Sequence, residues 1–292
     1  MIPKIIHVFW GGNAPFRERS FVKQWEEVLV PNGYEIKLWT PEDFKDDNHR
    51  FIRETLDNGF WAHASDYIRF KVLYEYGGFW LDSDVCVFKP FDELLDSEYI
   101  IASPNSGYPD DMDSINNYID HNTFKFCLSC MGFSKGNDIL KGVLEIYEES
   151  EYIVDTIGFE CMDVSSFMLR FINKNGLCIE RYDDIDNYEE LLSNLSEITK
   201  YNNDKIVVLP PVMFDYRFAD KSLHPLMYAS HKHWCHWHPH YAEHIWKKKK
   251  EREIKDKITK WVSENLSDKL NGFVIKAIDA FYKDNEELFK LD

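Results

Sequence analysis

From Ala64 to Val85 the chain reads as a helix, a break and a strand in immediate succession, and this stretch restricts the fold more than any other. Ser65 to Tyr76 is predicted helical, with Ile68, Val72, Leu73 and Tyr76 on one side. Gly77-Gly78 stops it. Phe79-Trp80-Leu81 follows as a short apolar strand, and two carboxylates, Asp82 and Asp84, stand one residue apart where that strand ends. In an extended strand they would point to the same face, where like charges repel unless a cation lies between them. Carboxylate oxygens suit hard divalent cations such as Mn²⁺ or Mg²⁺, and such ions hold diphosphates. The stretch therefore points to chemistry on a nucleotide diphosphate.

The surrounding pattern alternates strands with helices. Ile5 to Trp10 is a β-branched and aromatic run closed by Gly11-Gly12, a buried first strand with a permissive turn behind it. Ser20 to Val28 reads as a short helix and Tyr34 to Trp39 as a second strand. Thr40-Pro41-Glu42-Asp43 has the form of a helix start. Val85 to Phe88 and Tyr99 to Ala102 read as strands, as does the buried run Phe126 to Phe133. Asn137 is placed to cap a helix carrying Leu140, Val143, Leu144 and Tyr147. Such alternation predicts an α/β fold with a mostly parallel central sheet and helices on both faces. Ligands in such sheets sit beyond the carboxyl ends of the strands, where Trp10 and Asp82 to Asp84 fall. Residues 103 to 122, rich in Asp and Asn, read as a loop over that site, and 182 to 204 as surface helix and loop.

Composition narrows the function classes. With 34 Lys and Arg against 51 Asp and Glu, the formal charge of −17 argues against a nucleic-acid partner. No apolar run approaches the ~20 residues of a membrane span. The start, Met1 to Trp10, lacks a basic region and cleavage site and is not read as a signal peptide. The six Cys (86, 127, 130, 161, 178 and 235) are read as reduced thiols. Cys127-x-x-Cys130 lies in an apolar run with no second such pair, so it is read as buried strand thiols. From Lys247 the character changes. A Lys run precedes apolar residues at helical spacing (Ile254, Ile258, Trp261, Val262, Leu266; then Leu270, Phe273, Val274, Ala277, Ile278, Phe281). The expected organisation is a catalytic domain over 1–246 and a C-terminal amphipathic helical extension over 247–292. The extension either packs on that domain or meets an anionic membrane surface.

The segments IPKIIHVFWGG, ASDYIRFKVLYEYGGFWLDSD and YASHKHWCHW together resemble the DXD-containing glycosyltransferases of family 32. These include bacterial capsular-polysaccharide transferases and fungal α-mannosyltransferases; the large glucosylating toxins are more distant. The likeness is strong over about residues 1 to 90 and returns near 205 to 240. It implies a GT-A fold and sugar transfer from a nucleotide diphosphate with retention of configuration. It also implies roles. Trp10 would stack on the nucleobase and Trp80 flank base or ribose. Asp66 and Arg69, three apart on one helical face, would hold donor-sugar hydroxyls and phosphate oxygens. Asp82 would hold ribose or the metal sphere and Asp84 the metal itself, while Gly77 and Gly78 let the chain approach the nucleotide. The Tyr-Ala-x-His stretch makes His231 the expected third metal contact, and His236 and Trp237 the donors toward phosphate. His236 replaces the Ser of relatives. Gly136-Asn137-Asp138 and Gly158-Phe159 also depart from the Gly-His-Pro and Gly-Pro of relatives, on the sugar and acceptor sides.

The expectation is a metal-dependent (Mn²⁺ or Mg²⁺) retaining hexosyltransferase using a nucleotide-diphosphate sugar, a UDP-sugar first. The expected acceptor is a glycan or lipid-linked oligosaccharide in capsular or surface polysaccharide synthesis, in the cytoplasm or peripherally on the inner membrane face. Three alternatives stand beside it: a protein acceptor, a haloacid-dehalogenase-like phosphatase built on Leu81 to Val85, and a zinc-stabilised interaction module built on His231 to His238 with Cys235. The last leaves the DXD pair without a role.

Overall fold

The computed structural model describes residues 1–12, 15–103, 126–149, 164–182, 188–214 and 225–232, all within the compact unit Met1–His233. In chain order these residues form β1 (Ile5–Phe9), α1 (Phe16–Arg19), α2 (Val22–Val28), β2 (Glu35–Trp39), α3 (Arg50–Asp57), α4 (Trp61–Tyr76), β3 (Gly78–Leu81), β4 (Val85–Val87), β5 (Tyr99–Ala102), β6 (Cys127–Phe133), α5 (Asp138–Glu149), α6 (Val164–Lys174), β7 (Cys178–Arg181), α7 (Tyr188–Ile198), β8 (Lys205–Val208) and β9 (Ala229–His231). The expected boundary at 246/247, the C-terminal helices, most of the 103 to 122 loop and Gly158-Phe159 lie outside the described residues.

Five strands make the central sheet in the order β2-β1-β3-β6-β5. β1 runs parallel to β2 and to β3, whereas β6 is antiparallel to both β3 and β5. Four of the five strands therefore share one direction. This is the expected α/β architecture with a mostly parallel sheet. Because β6 is reversed, its first residues lie at the edge where β1 and β3 end. Two small ribbons flank the sheet: β4 with β9, antiparallel, and β7 with β8, parallel.

α4 is the helix on which the site depends. It begins at Trp61, four residues earlier than the pattern suggested, and is buried on more than one side: Tyr67 and Phe70 are buried as well as Ile68, Val72 and Leu73. It packs on β1, β3 and β6 beneath and on α3 and α5 beside it. A helix enclosed this way loses its one-sided stripe, and Tyr76, expected inside, is partly exposed. Gly77 ends it with φ +68°, its N–H donating to the Leu73 carbonyl at 2.8 Å. α5 is capped as expected, Asn137 Oδ1 accepting from the Ile139 N–H at 3.0 Å. The Thr40 start yields only a 3₁₀ turn, Pro41–Phe44, with the Thr40 N–H and hydroxyl both donating to Asp43. β6 is buried throughout, and Cys127 and Cys130 are buried free thiols within it.

Candidate active site

The two carboxylates do not sit in a strand. β3 ends at Leu81 and β4 begins at Val85, and Asp82-Ser83-Asp84 is the turn between them. The Val85 N–H closes it on the Asp82 carbonyl at 3.0 Å, and the Asp82 N–H donates to the Ser129 carbonyl at 2.8 Å. The Ser83 carbonyl accepts from the Phe21 N–H at 3.0 Å, just ahead of α2. α2 clamps the following strand too: the Trp25 indole donates to the Val85 carbonyl at 2.7 Å, and Gln24 Oε1 accepts from the Val87 N–H at 3.0 Å. Turn geometry, not strand pleat, brings the acids together, which corrects the reading from spacing alone.

His231 completes the group from far along the chain. The β4–β9 register pairs Val85 with His231, and this places His231 Nε2 3.1 Å from Asp84 Oδ1. Asp82, Asp84 and His231 each offer one ligand atom, and these lie within 4.8 Å of one another. Two ligands at right angles, each ~2.1 Å from a small cation, are about 3 Å apart. Two carboxylates with one imidazole form an oxygen-rich set with a borderline nitrogen, suited to Mn²⁺ or Mg²⁺. The residues present thus fit a divalent cation. They do not extend the zinc reading, since His231 turns to Asp84 and His233 to His238 lie outside the described residues.

Asp66 and Arg69 join this group from α4. Arg69 Nη2 pairs with Asp66 Oδ1 at 2.7 Å and stands 3.7 Å from Asp82 Oδ1. Nη1 donates to the Leu128 carbonyl at 2.7 Å, Nε to the Ser65 carbonyl and Nη2 also to Ser65 Oγ. Arg69 is 5% exposed. Its guanidinium is therefore spent inside the fold, tying α4 to β6 and to the DXD turn, rather than offered as a fork to a ligand. A buried guanidinium requires such partners. Asp66 remains partly accessible beside it.

Trp80 is 1% exposed, so its ring does not present a face to a base or ribose. Its indole instead donates to Asp82 Oδ1 at 2.7 Å, and the Arg69 guanidinium lies 5.3 Å over its ring. Gly77 and Gly78 are also relocated: they lie at the opposite end of β3 from the acids. A Cβ on Gly77 would meet Lys135 N at 2.6 Å, and one on Gly78 the Ile5 carbonyl at 2.5 Å. Close packing requires these glycines, Gly78 against β1 and Gly77 against Lys135 and Pro3, in place of an approach to nucleotide. Trp10 follows β1 at the sheet's carboxyl edge, half-buried, its ring 5.6 Å from that of Phe16. His236 and Trp237 lie outside the described residues.

Ser65, Ser129, Leu128, Gln24 and Trp25 were missed in the sequence. Ser65 alone gave a local signal, one helical turn before Arg69; the others act through backbone atoms or across long separations. Two neighbouring groups have shifted acidities. Burial, then the nearby Cys127 and Asp82, pushes the Cys130 thiol well up, so it stays protonated. Burial lowers His63, which stays neutral.

Residues 15–101 match the family described as the glycosyltransferase sugar-binding region containing DXD motif. That span holds Asp66, Arg69, Asp82 and Asp84. The chain is 33% identical over 98 residues to inositol phosphoceramide mannosyltransferase 3 of Schizosaccharomyces pombe, covering 32% of this chain and 27% of that protein. It is 30% identical over 118 residues to inositol phosphoceramide mannosyltransferase 1 of the same yeast, covering 38% and 37%. It is 32% identical over 103 residues to the glycosyltransferase afumC of Aspergillus fumigatus, covering 30% and 26%. The matches thus span well under half the length of these relatives. Among solved structures, the PaToxG glycosyltransferase aligns with a TM-score of 0.39 and 16% identity, over 68% of this chain and 75% of that one.

Proposed function

We propose that this chain, with its DXD sugar-binding region, is a metal-dependent retaining glycosyltransferase. It moves a hexose from a nucleoside-diphosphate sugar to a hydroxyl of a glycan acceptor. The observation that carries this reading is the convergence of Asp82, Asp84 and His231 within 4.8 Å, with Asp66 linked to Asp82 through Arg69. A divalent cation held by Asp82, Asp84 and His231 would neutralise the charge developing on the diphosphate leaving group. Asp66 accepts hydrogen bonds from donor-sugar hydroxyls and sets the orientation of the ring. Trp10, at the carboxyl edge of β1, stacks on the nucleobase. The acceptor oxygen bonds to the anomeric carbon on the face from which the carbon–phosphate-oxygen bond breaks, and its proton passes to a β-phosphate oxygen. A nucleoside diphosphate leaves as an anion without an added acid, so the mechanism assigns no side chain to that protonation.

The donor is read as a nucleoside-diphosphate hexose, a UDP-sugar first, with a mannosyl nucleotide as the alternative that the names of the yeast relatives support. Those same names carry inositol phosphoceramide, a lipid, as the acceptor of the yeast proteins, and for this chain we read the acceptor as a hydroxyl on a glycan or lipid-linked oligosaccharide. Among the described residues no helix is long and apolar enough to cross a membrane; any membrane contact is read as peripheral, from the basic and amphipathic sequence pattern of residues 247–292. The test is release of nucleoside diphosphate from UDP-glucose, UDP-galactose, UDP-N-acetylglucosamine and GDP-mannose, with EDTA and after returning Mn²⁺. EDTA should abolish release and Mn²⁺ restore it for one donor. EDTA-resistant release would remove the metal assignment. Hydrolysis of simple phosphomonoesters in place of nucleotide sugars would favour the phosphatase alternative.

A further inference from the structure

We propose that Trp80 is a positioning residue for Asp82: its indole N–H fixes the carboxylate so that it meets a cation through one oxygen only. The inference rests on the metal reading above. Trp80 lies in β3, and Asp82 opens the turn two residues on, just past the strand's end at Leu81. The ring is 1% exposed, and a buried indole N–H needs an acceptor. It finds Asp82 Oδ1 at 2.7 Å, and Arg69 Nη2 reinforces that same oxygen at 3.7 Å. Asp82 lies in a turn, where no strand partner restrains its side chain. The indole and the guanidinium supply that restraint, and both are themselves held by packing and by the Leu128 and Ser65 contacts.

The consequence is chemical selectivity. With Oδ1 engaged by the indole, Oδ2 is the oxygen presented toward the cation. Small octahedral ions such as Mn²⁺ and Mg²⁺ accept one oxygen per carboxylate, whereas Ca²⁺ gains from carboxylates that chelate through both. Trp80 therefore biases the site toward the smaller ions. Outer donors of this kind typically change metal affinity 10–100-fold when removed.

The test titrates Mn²⁺ and Ca²⁺ into the full chain without nucleotide, by calorimetry and by electron paramagnetic resonance of free Mn²⁺. The proteins are wild type, Trp80→Phe, Asp82→Asn, the double variant and Asp84→Ala. Trp80→Phe keeps the ring and deletes the donor. It should weaken Mn²⁺ binding about tenfold and narrow the preference for Mn²⁺ over Ca²⁺, and it should have no further effect once Asp82 is Asn. Unchanged affinity and preference in Trp80→Phe, or an equal loss in both backgrounds, would overturn the inference. Asp84→Ala separates this outcome from failure of the metal reading, because an Asp84→Ala chain binding Mn²⁺ as tightly as wild type removes the site itself. If Trp80→Phe does not fold, ¹⁵N-indole spectra of the wild-type chain decide. The Trp80 indole signal, identified by its shift in Asp82→Asn, should move on adding Mg²⁺, and a signal that Mg²⁺ leaves in place would overturn the proposal.

Discussion

Asp84 Oδ1 and His231 Nε2 stand 3.1 Å apart, although the strands β5 to β8 and the helices α5 to α7 lie between them in the chain. The β4–β9 ribbon makes the pair, because its register sets Val85 opposite His231. The candidate site thus depends on a three-residue strand pairing at the margin of the sheet. Asp82, on the other side of Asp84, is tied instead to the sheet through Ser129 and to α4 through Arg69. Groups from two separately anchored segments therefore meet, the 82–84 turn and the strand β9.

Asp84→Ala should therefore remove function and spare the fold. Turnover of the nucleotide sugar should fall by far more than tenfold, a barrier change well above ~1.4 kcal/mol. The melting temperature without metal should stay level or rise slightly, because one of two neighbouring negative charges is gone. Turnover above a tenth of wild type would sink the assignment of Asp84 as a metal ligand.

Trp10→Ala tests the base contact separately from the metal. Stacking of a base on an aromatic ring is worth roughly 1–3 kcal/mol by alanine substitution, so affinity for the free nucleoside diphosphate should drop by about fivefold to over a hundredfold. Mn²⁺ affinity without nucleotide should not change. Calorimetric titration giving equal nucleotide affinities for the two proteins would make Trp10 a packing residue.

How much of this was legible in the sequence depends on how local each cause is. The helix, diglycine stop and strand before Asp82 follow from neighbouring residues, and they appear with small shifts at their ends. The convergence of Asp82, Asp84 and His231 was also within reach, since each carries a motif-level signal. The orientation of Trp80 and Arg69 was not. From the sequence both look available to a ligand, and only the fold turns them inward: the Leu128 carbonyl of β6 takes the Arg69 guanidinium, and the Asp82 carboxylate takes the Trp80 indole. Gly77-Gly78 misled for the same reason: a permissive turn looks alike whether a nucleotide or the neighbouring strand comes close. The short strands β7, β8 and β9 were missed in the sequence.

Gly78→Ala distinguishes these two readings of the diglycine. Gly78 has φ +109°, and an added Cβ would lie 2.5 Å from the Ile5 carbonyl and 3.2 Å from His7 Nε2. Backbone strain of about 1–3 kcal/mol is joined by a clash with a strand that cannot move aside. The melting temperature should fall by many degrees, while the folded protein keeps its nucleotide affinity. Lost nucleotide affinity at unchanged stability would return the diglycine to the nucleotide site.

The His7 imidazole makes the last prediction, one of pH. It is fully buried, stacked on Trp39, with Nδ1 accepting from the Trp39 indole at 3.0 Å. The other ring nitrogen must then carry the proton, and Nε2 donates to the Gly77 carbonyl at 2.8 Å. Both nitrogens are used by the neutral ring, and a second proton would have to displace the Trp39 donor. Burial lowers the pKa to about 4; the Gly77 contact opposes that shift and the charge of Lys37 adds to it. The unfolded chain binds a proton near 6.5, so between there and about 4 it holds a proton that the folded chain does not. Stability from this group is therefore complete above pH 6.5 and is lost as pH falls toward 4, by about 2–3 kcal/mol at pH 4.5. His7→Gln keeps a donor toward Gly77 but cannot titrate. Urea unfolding of both proteins at pH 7 and 4.5 should show wild type losing its advantage over the variant at the lower pH. An advantage that is the same at both would mean that His7 is not held neutral by its burial.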